Sequence, residues 1–486
     1  MTFNDEDSFV CIDEEDLNSH ASCQKTLSLE VAPRHDVIGK LSHLPTTQFC
    51  ATVTATEVHM EDSSTRSPVD IVVALDTSGS MRGNKLALCK ETLKLLLREL
   101  GPQDRFGLVT FGNTASIHIP TCTLTNENRE LALSRVNSIR TSGRTNLSGG
   151  VGLAIQEMLD IDNPHGVRTI FLLTDGHANV GVSDRVGIVE LTQGCLGTKG
   201  RSISIHCFGY GCDHDREMLS DISEVNEGGT YYFISDDSDV SSAFGDALGG
   251  ILTTVAQNVV LTISPSESGD NEGISILNIY HDKVRKREDG SFTVEIGDFY
   301  AEESRDVIFD VSLSSGISSS DLVPHVSVAF SYLDTIKKIL VNEAPLFGSI
   351  CRPNGSEQIS PPNHRVTIQW LRVQTTKVLA EAENIAKTDL VAARNKIDSH
   401  TKELNKESHD LVGDKLIMQL LSELNDISNR LASKCSYDST GASFMQMKRL
   451  SHMRQRCSES SPTPVSCYRS PGKLFFSRKF SSNQQE

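Results

Sequence analysis

The sequence predicts an α/β fold: a doubly wound, mostly parallel, Rossmann-like sheet that is inserted in an antiparallel β-sandwich and followed by a small helical bundle. Three patterns predict this class. Strand and helix patterns alternate across residues 70–255. On both sides of that block, in 26–58 and 256–345, apolar residues occupy every second position, as on strands with one buried face. Residues 364–432 return to the spacing of helices with one apolar stripe.

The α/β block begins with DIVVALD at 70–76, an almost wholly apolar run that is typical of a strand covered on both faces. The following segment, 84–100, has the spacing of an amphipathic helix. Later strands are predicted at 106–111, 117–119, 169–174, 202–208 and 230–234, and helices near 126–140, 148–160, 184–194, 214–225 and 239–255. This alternation favours a parallel sheet with helices on both faces.

The two segments with period-two alternation are expected to form one sandwich. The upstream segment holds only two strand patterns, and two strands are not stable alone in water. We therefore expect it to pair with the downstream segment, so that the α/β domain is an insertion. The predicted organisation is an acidic disordered tail at 1–24, sandwich strands at 25–60, the α/β domain at 66–255, the remainder of the sandwich at 256–345, a helical bundle at 360–434 and a basic, Ser- and Pro-containing disordered tail at 436–486.

Composition excludes some classes of protein. The 46 Lys and Arg against 64 Asp and Glu give a net charge of −18, which disfavours general nucleic-acid binding. The sequence contains no run of about 18 apolar residues, so no membrane-spanning helix is predicted. The acidic start does not have the pattern of a signal peptide. The 12 cysteines include no CxxC pair, which argues against a zinc domain and favours reduced thiols, so we expect a cytoplasmic protein.

The C-terminal segment contains three possible phosphorylation sites. Ser461, Thr463 and Ser470 each precede a proline, as in the targets of proline-directed kinases. The alternative is a tail without a function of its own.

The residues that carry chemistry begin in DTSGSM at 76–81, directly after the first buried strand. Asp76, Ser78 and Ser80 place three oxygens on alternate positions of one turn. Hard divalent cations prefer oxygen ligands, and Mg²⁺ takes about six. One loop cannot supply that shell, but Thr145 and Asp175 lie in two further loops that we expect at the same edge of the sheet.

This constellation resembles the von Willebrand factor A (VWA) domain, whose metal-ion-dependent adhesion site (MIDAS) reads D-x-S-x-S, then a distant Thr and a distant Asp. The resemblance implies that Mg²⁺ or Mn²⁺ binds Ser78, Ser80 and Thr145 directly, and Asp76 and Asp175 largely through water. It also implies an open metal position that an Asp or Glu of a partner protein fills.

Four further residues are expected at the rim of the site, where a partner binds: Gly79, Met81, Arg144 and His177. Arg144 departs from the usual family pattern, and its side chain either pairs with the incoming acid or points to solvent. His177 is either a ligand or base, or an exposed turn residue. Further along the chain, Asp213, His214 and Asp215 either bind a cation or cap the helix that follows.

The resemblance extends to intracellular eukaryotic VWA proteins, including plant RING–VWA ubiquitin ligases of the wavy-growth type and VWA–Hint proteins. It is carried by GYGCDHDREML, GGTYYFI, VAQNVVLTI and IGDFYAEESRDV. The chain shows neither a RING nor a Hint pattern, so neither activity is transferred to it.

The sequence therefore predicts a metal-dependent protein-binding adaptor or scaffold and not an enzyme. A P-loop and a G-x-S-x-G nucleophile elbow are both missing. One alternative is a noncatalytic, substrate-recruiting subunit of a ubiquitin-ligase or ATPase assembly. Another is a scaffold whose basic tail binds acidic partners or membranes.

Overall fold

The computed structural model describes residues 10–11, 25–57, 66–141, 143–175, 177–211, 214–226, 228–234, 239–266, 274–313, 319–411, 413–456 and 467–482. The chain divides into two compact units. We call residues 1–57, 255–429 and 452–455 the sandwich unit, and residues 58–254, 430–451 and 456–486 the α/β unit.

The strands are, in chain order, β1 (Val10–Cys11), β2 (Leu27–Pro33), β3 (Thr46–Ala55), β4 (Val69–Asp76), β5 (Arg105–Phe111), β6 (Ala115–Thr123), β7 (Val167–Thr174), β8 (Ile203–Tyr210), β9 (Tyr231–Ile234), β10 (Thr254–Pro265), β11 (Ile276–Ile279), β12 (Val284–Lys286), β13 (Phe292–Tyr300), β14 (Ser304–Ser312), β15 (Ser319–Asp334) and β16 (Ile339–Arg352). The longer helices are α1 (Asn84–Glu99), α2 (Asn126–Ser138), α3 (Leu147–Leu159), α4 (Arg185–Leu196), α5 (Arg216–Glu224), α6 (Asp239–Leu252), α7 (His364–Ala386), α8 (Leu390–Glu407), α9 (Lys415–Arg430), α10 (Ala442–Arg454) and α11 (Pro471–Ser482).

The α/β unit contains the doubly wound sheet that the sequence predicts. Its strand order is β6-β5-β4-β7-β8-β9, and the pairs are parallel except for β5 with β6. Every residue of β4 is buried, which explains the apolar run from Ile71 to Leu75. One core lies between the sheet and α1, α2 and α6, and a second lies between the sheet and α3, α4 and α5. The α/β class is confirmed.

The sandwich unit contains two sheets, β1-β16-β15-β10-β13-β12 and β11-β14-β3-β2. Strand β3 pairs antiparallel with β14, and β2 pairs with β3, so the N-terminal strands complete a sheet begun far downstream. The rings of Phe49 and Phe309 stack at 5.9 Å within this sheet. A Cβ added to Gly348 of β16 would lie 2.7 Å from the Phe49 ring, so the two sheets pack closely there. The predicted insertion into a β-sandwich is confirmed.

The helical region follows the sandwich strands as predicted. Helix α7 packs on the second sheet, where Val366 and Val373 join a small core with Cys50 and Ile308. Asn363 caps α7 by accepting a hydrogen bond from the amide of Val366. Helices α8 and α9 bury apolar residues on one side each.

The expectation of a disordered tail at 436–486 is wrong for two segments, since α10 and α11 are helices. The buried residues of these helices include Lys448 and Lys473, so hydrophobic spacing does not reveal them. Of the predicted acidic tail, Val10–Cys11 pair with Ile339–Leu340 of β16, and the rest lies outside the described residues.

The three possible phosphorylation sites divide in the same way. Ser461 and Thr463 lie outside the described residues. Ser470 is described, is 6% exposed, and its hydroxyl lies 3.5 Å from the amide of Lys473 at the start of α11. None of the helices in the described part of the chain is both long enough and apolar enough to cross a membrane.

Candidate metal centre

The first loop of the site follows β4 and is shaped by its own backbone. Asp76 is fully buried and its Oδ1 accepts a hydrogen bond from the amide of Ser78 at 2.7 Å. A single 3₁₀ turn at Gly79–Met81 then leads towards α1. The hydroxyls of Ser78 and Ser80 lie 3.0 Å apart, so the turn brings both oxygens to the same side.

The second and third loops are joined to the first by hydrogen bonds. The amide of Gly79 donates to the carbonyl of Gly143 at 3.0 Å. The amide of Thr145 donates to Oδ1 of Asn179 at 2.9 Å, beyond Asp175 in the third loop. Gly143 has φ +80°, and a Cβ there would lie 2.6 Å from the Asn113 side chain, so this position requires glycine. The three strand-end loops are therefore held together.

The two carboxylates of the site are buried and fully hydrogen-bonded. Oδ2 of Asp76 accepts from the Thr174 hydroxyl at 2.6 Å. Oδ1 of Asp175 accepts from the Ser80 hydroxyl at 2.8 Å, and its Oδ2 forms an ion pair with Lys85. Burial raises the pKa of Asp76 above its ordinary value, against the lowering effect of the Thr174 and Ser78 hydrogen bonds, and the nearby Asp175 raises it further.

The residues present fit a hard divalent cation. The donors are three hydroxyls and two carboxylates, which are the oxygen ligands that Mg²⁺ and Mn²⁺ prefer. Thr145 is only 3% exposed, and its amide and carbonyl both bind Asn179, so its position at this edge of the sheet is fixed.

The rim differs from the prediction at one position. Gly79, Arg144 and His177 are exposed. Met81 is fully buried in the core beneath α1, so its expected place on the partner-binding rim is wrong. It ends the 3₁₀ turn, and three residues per turn direct it away from Ser80, which faces the site.

The alternatives for the neighbouring residues are partly resolved. Asp215 caps α5, since its side chain accepts a hydrogen bond from the amide of Met218. Nδ1 of His214 lies 2.7 Å from the carbonyl of Gly211, and its Nε2 lies 2.5 Å from the Tyr231 hydroxyl. Asp213 lies outside the described residues. Over the described part of the chain, no group of three or more His, Cys, Asp or Glu is arranged to hold a metal.

Sequence reasoning missed the residues that support the ligands, above all Lys85. It is the second residue of α1, where the helix dipole disfavours a cation. A lysine at this unfavourable helix position was the one sign in the sequence that it has an acidic partner, and the structure shows that this partner is Asp175. Thr174, Asn113 and Asn179 had no comparable signal, because polar residues are common in such loops.

Comparison with known proteins agrees with this geometry. Residues 70–246 match the von Willebrand factor type A domain family. The chain therefore carries a VWA domain.

Related proteins share this domain but are longer. The chain is 27% identical to YfbK of Escherichia coli over 52% of this chain and 43% of that protein. It is 25% identical to the E3 ubiquitin-protein ligase WAV3 of Arabidopsis thaliana, over 52% of this chain and 32% of that protein. It is 33% identical to the human inter-alpha-trypsin inhibitor heavy chain H4, over 36% of this chain and 19% of that protein. The chain thus spans less than half the length of these relatives.

Two solved structures share the fold over most of the chain. A von Willebrand factor type A protein from Catenulispora acidiphila aligns with a TM-score of 0.62 at 16% identity, covering 83% of this chain and 89% of that one. The ArnB paralog VWA2 from Sulfolobus acidocaldarius aligns with a TM-score of 0.54 at 14% identity, covering 86% and 98%.

Proposed function

We propose that this protein is a metal-dependent adaptor that uses its VWA domain to bind a partner protein. Ser78, Ser80 and Thr145 would hold Mg²⁺ or Mn²⁺ directly, and Asp76 and Asp175 would support it largely through water. The ion would supply an electrophilic position for an Asp or Glu side chain of the partner. One observation carries the proposal: three strand-end loops bring five oxygen-bearing side chains to one edge of the sheet, and hydrogen bonds fix those loops.

The protein's own residues explain how such a site captures an acid. Hydrogen bonds from Ser78 and Thr174 fix the Asp76 carboxylate, and the Ser80 hydroxyl binds Asp175, so both carboxylates are held at this edge before a cation arrives. All three proposed direct ligands are neutral hydroxyls, which would leave the charge of a bound ion largely uncompensated. Arg144 is exposed beside them and adds positive charge for an acidic partner.

The test is calorimetric titration of the full chain with MgCl₂ and with MnCl₂. We expect saturable binding, and its loss in Thr145→Ala and in Asp76→Ala. Thr198→Ala is the matched control, since Thr198 is exposed beyond α4, at the opposite edge of the sheet. Circular dichroism establishes that each variant is folded. Absence of metal uptake by the unaltered chain would contradict the proposal.

The interaction role itself is tested by affinity capture in Mg²⁺ and in EDTA, with Asp76→Ala as the control. Partners that are retained equally in all three conditions would show that binding does not use the metal edge. We propose no catalytic residue, and a cytoplasmic location stays a prediction from the scattered cysteine pattern.

Similarity to WAV3 favours a second candidate function, that of a noncatalytic, substrate-recruiting subunit of a ubiquitin-ligase assembly. It predicts that a ligase component copurifies with the protein and that clients bound at the VWA domain become ubiquitinated. Ubiquitin transfer by the purified chain with only the activating and conjugating enzymes would refute the noncatalytic assignment.

A further inference from the structure

Helix α11 packs closely against α6, the helix that follows the last strand of the α/β sheet, and the two backbones approach each other at two glycines of α6. A Cβ added to Gly245 of α6 would lie 2.6 Å from Cα of Ser477. A Cβ added to Gly249, one turn later, would lie 2.8 Å from Cα of Lys473. Because Gly245 and Gly249 have no side chains, the surface of α6 has a groove at these positions, and α11 occupies that groove.

A buried negative charge lies between these two glycines. Asp246 is fully buried, and its side chain binds Nζ of Lys473 at 2.7 Å and Nε of Arg469 at 3.2 Å. The Tyr232 hydroxyl also donates to it, at 3.0 Å. A carboxylate in such a place needs charged partners, and both cations come from the C-terminal segment.

The contact residues of α11 have the spacing of a helical ligand in a groove. Lys473, Phe476, Ser477 and Phe480 occupy positions i, i+3, i+4 and i+7, the spacing by which helical peptides bind grooves. Phe480 is 1% exposed within the core that α1 and α6 share, and Phe476 packs against that core. The hydroxyls of Ser477 and Ser242 lie 2.7 Å apart.

The remaining contacts divide the helix into a bound face and a solvent face. Lys479 reaches Glu99 at the end of α1 with a distance of 2.6 Å. Phe475 and Arg478 point outwards, and Phe475 is 55% exposed. The segment thus combines an aromatic anchor, central charges and an exposed back, which is how interface helices are built.

We propose that the α6 face of the VWA domain is a second protein-binding site, a groove for a basic amphipathic helix, and that residues 467–482 are its own exchangeable ligand bound in cis. The groove selects a cation where Lys473 and Arg469 lie, a small residue where Ser477 lies, and an aromatic ring where Phe480 lies. Because Asp246 is buried, a helix that brings no cation to it would leave an uncompensated charge, so the groove discriminates against such helices. This site shares no residue with the candidate metal centre and does not depend on it.

Exchange is tested in the full chain carrying a protease recognition sequence inserted after Ser461. After cleavage, a fluorescein-labelled peptide of residues 467–482 is added, and anisotropy is measured. We expect saturable one-to-one binding to the cleaved protein and at least ~10-fold weaker binding to the uncleaved protein, whose tethered helix competes. Failure of the labelled peptide to enter the cleaved protein would show that α11 is a permanent part of the core.

Matched peptides test the chemistry of recognition. Lys473→Gln is expected to weaken binding at least ~100-fold, because it leaves the buried Asp246 carboxylate with one cation fewer. Arg478→Gln makes the same change of charge on the solvent face and is expected to bind like the unaltered peptide. Equal weakening by both would reduce the contact to nonspecific charge attraction. Concentration-dependent dimers with exchanged helices would assign the groove to a second copy and overturn the cis assignment.

Hydrogen exchange in the uncleaved chain keeps the proposal testable if the cleaved protein precipitates. Amides of α11 are expected to exchange by local opening, faster than those of β4, and faster still in Asp246→Asn while β4 is unchanged. Protection of α11 that equals that of β4, and is lost only together with it, would contradict a separable ligand.

Discussion

Lys85→Met should tighten binding of Mg²⁺ and Mn²⁺ at the candidate metal centre. In the structure the Lys85 ammonium is the cation beside Asp175, whose side chain is fully buried and also accepts from Ser80. A divalent ion that enters this site is repelled by the Lys85 ammonium, which is already paired with Asp175, one of the two carboxylates of the site. Removal of that charge leaves Asp175 free to support the ion.

The size of the effect follows from the charges and their exposure. The Lys85 ammonium and the Asp175 carboxylate are treated as two unit charges, which at about 4 Å and an effective dielectric constant of 20 attract each other by about 4 kcal/mol. The Lys85 side chain is 35% exposed, so solvent screening reduces this to roughly 1.5–3 kcal/mol. Since about 1.4 kcal/mol corresponds to a factor of ten, the dissociation constant should fall by roughly 10–100-fold.

Calorimetric titration at fixed ionic strength measures this constant for the unaltered chain and the variant. Lys94→Met is the control, because Lys94 is on the same helix and pairs with the exposed Glu91. In EDTA the melting temperature of Lys85→Met should be lower, since Asp175 then has no cation. Equal or weaker metal binding by Lys85→Met, with Lys94→Met unchanged, would refute the role assigned to Lys85.

Three further predictions concern burial. Met81→Ala should cost about 2–5 kcal/mol in urea unfolding, since Met81 is a core residue, and should weaken metal binding little once the variant is folded. Burial lowers the pKa of His214 to about 4, so the folded protein keeps this ring neutral, and the stability that depends on the neutral ring is lost as the pH falls from 6.5 towards 4. The free energy of urea unfolding should therefore differ less between pH 7 and pH 5 in His214→Gln than in the unaltered chain. Burial also raises the pKa of the Cys89 thiol to about 12, so a thiol reagent should label the exposed Cys195 in the native protein and Cys89 only after denaturation, whereas rapid native labelling of Cys89 would contradict its placement.

The parts of the fold that the sequence predicted are those where hydrophobic burial determines the pattern. Strand β4 is covered on both faces and its sequence is an apolar run, whereas β10 alternates, with Val259, Leu261 and Ile263 buried. We expected Asp76, Thr145 and Asp175 to lie close together because the carboxyl ends of parallel strands lie at the same edge of a sheet. The joined loops agree with that expectation, while metal binding there stays a prediction.

The parts that escaped prediction are held by polar contacts. Helix α11 buries Lys473 and Ser477 on its bound face, and the partner of Lys473 is Asp246, more than 220 residues earlier, so hydrophobic spacing does not reveal the contact. Met81 escaped because a one-turn 3₁₀ helix is too short to have a recognisable period. Lys85 escaped because its partner is distant in the sequence.

The pairing of β3 with β14 sets a delay during protein synthesis. Thr54 and Ser304 are neighbours in the sheet but 250 positions apart in the chain. At about 5–20 residues per second, β3 leaves the ribosome roughly 12–50 s before its partner. During that interval Phe49 and Val53, both fully buried in the finished protein, have no sheet to join, while the β4–β9 sheet can already form. The nascent chain is therefore expected to bind holding chaperones through β2 and β3 until β14 has emerged.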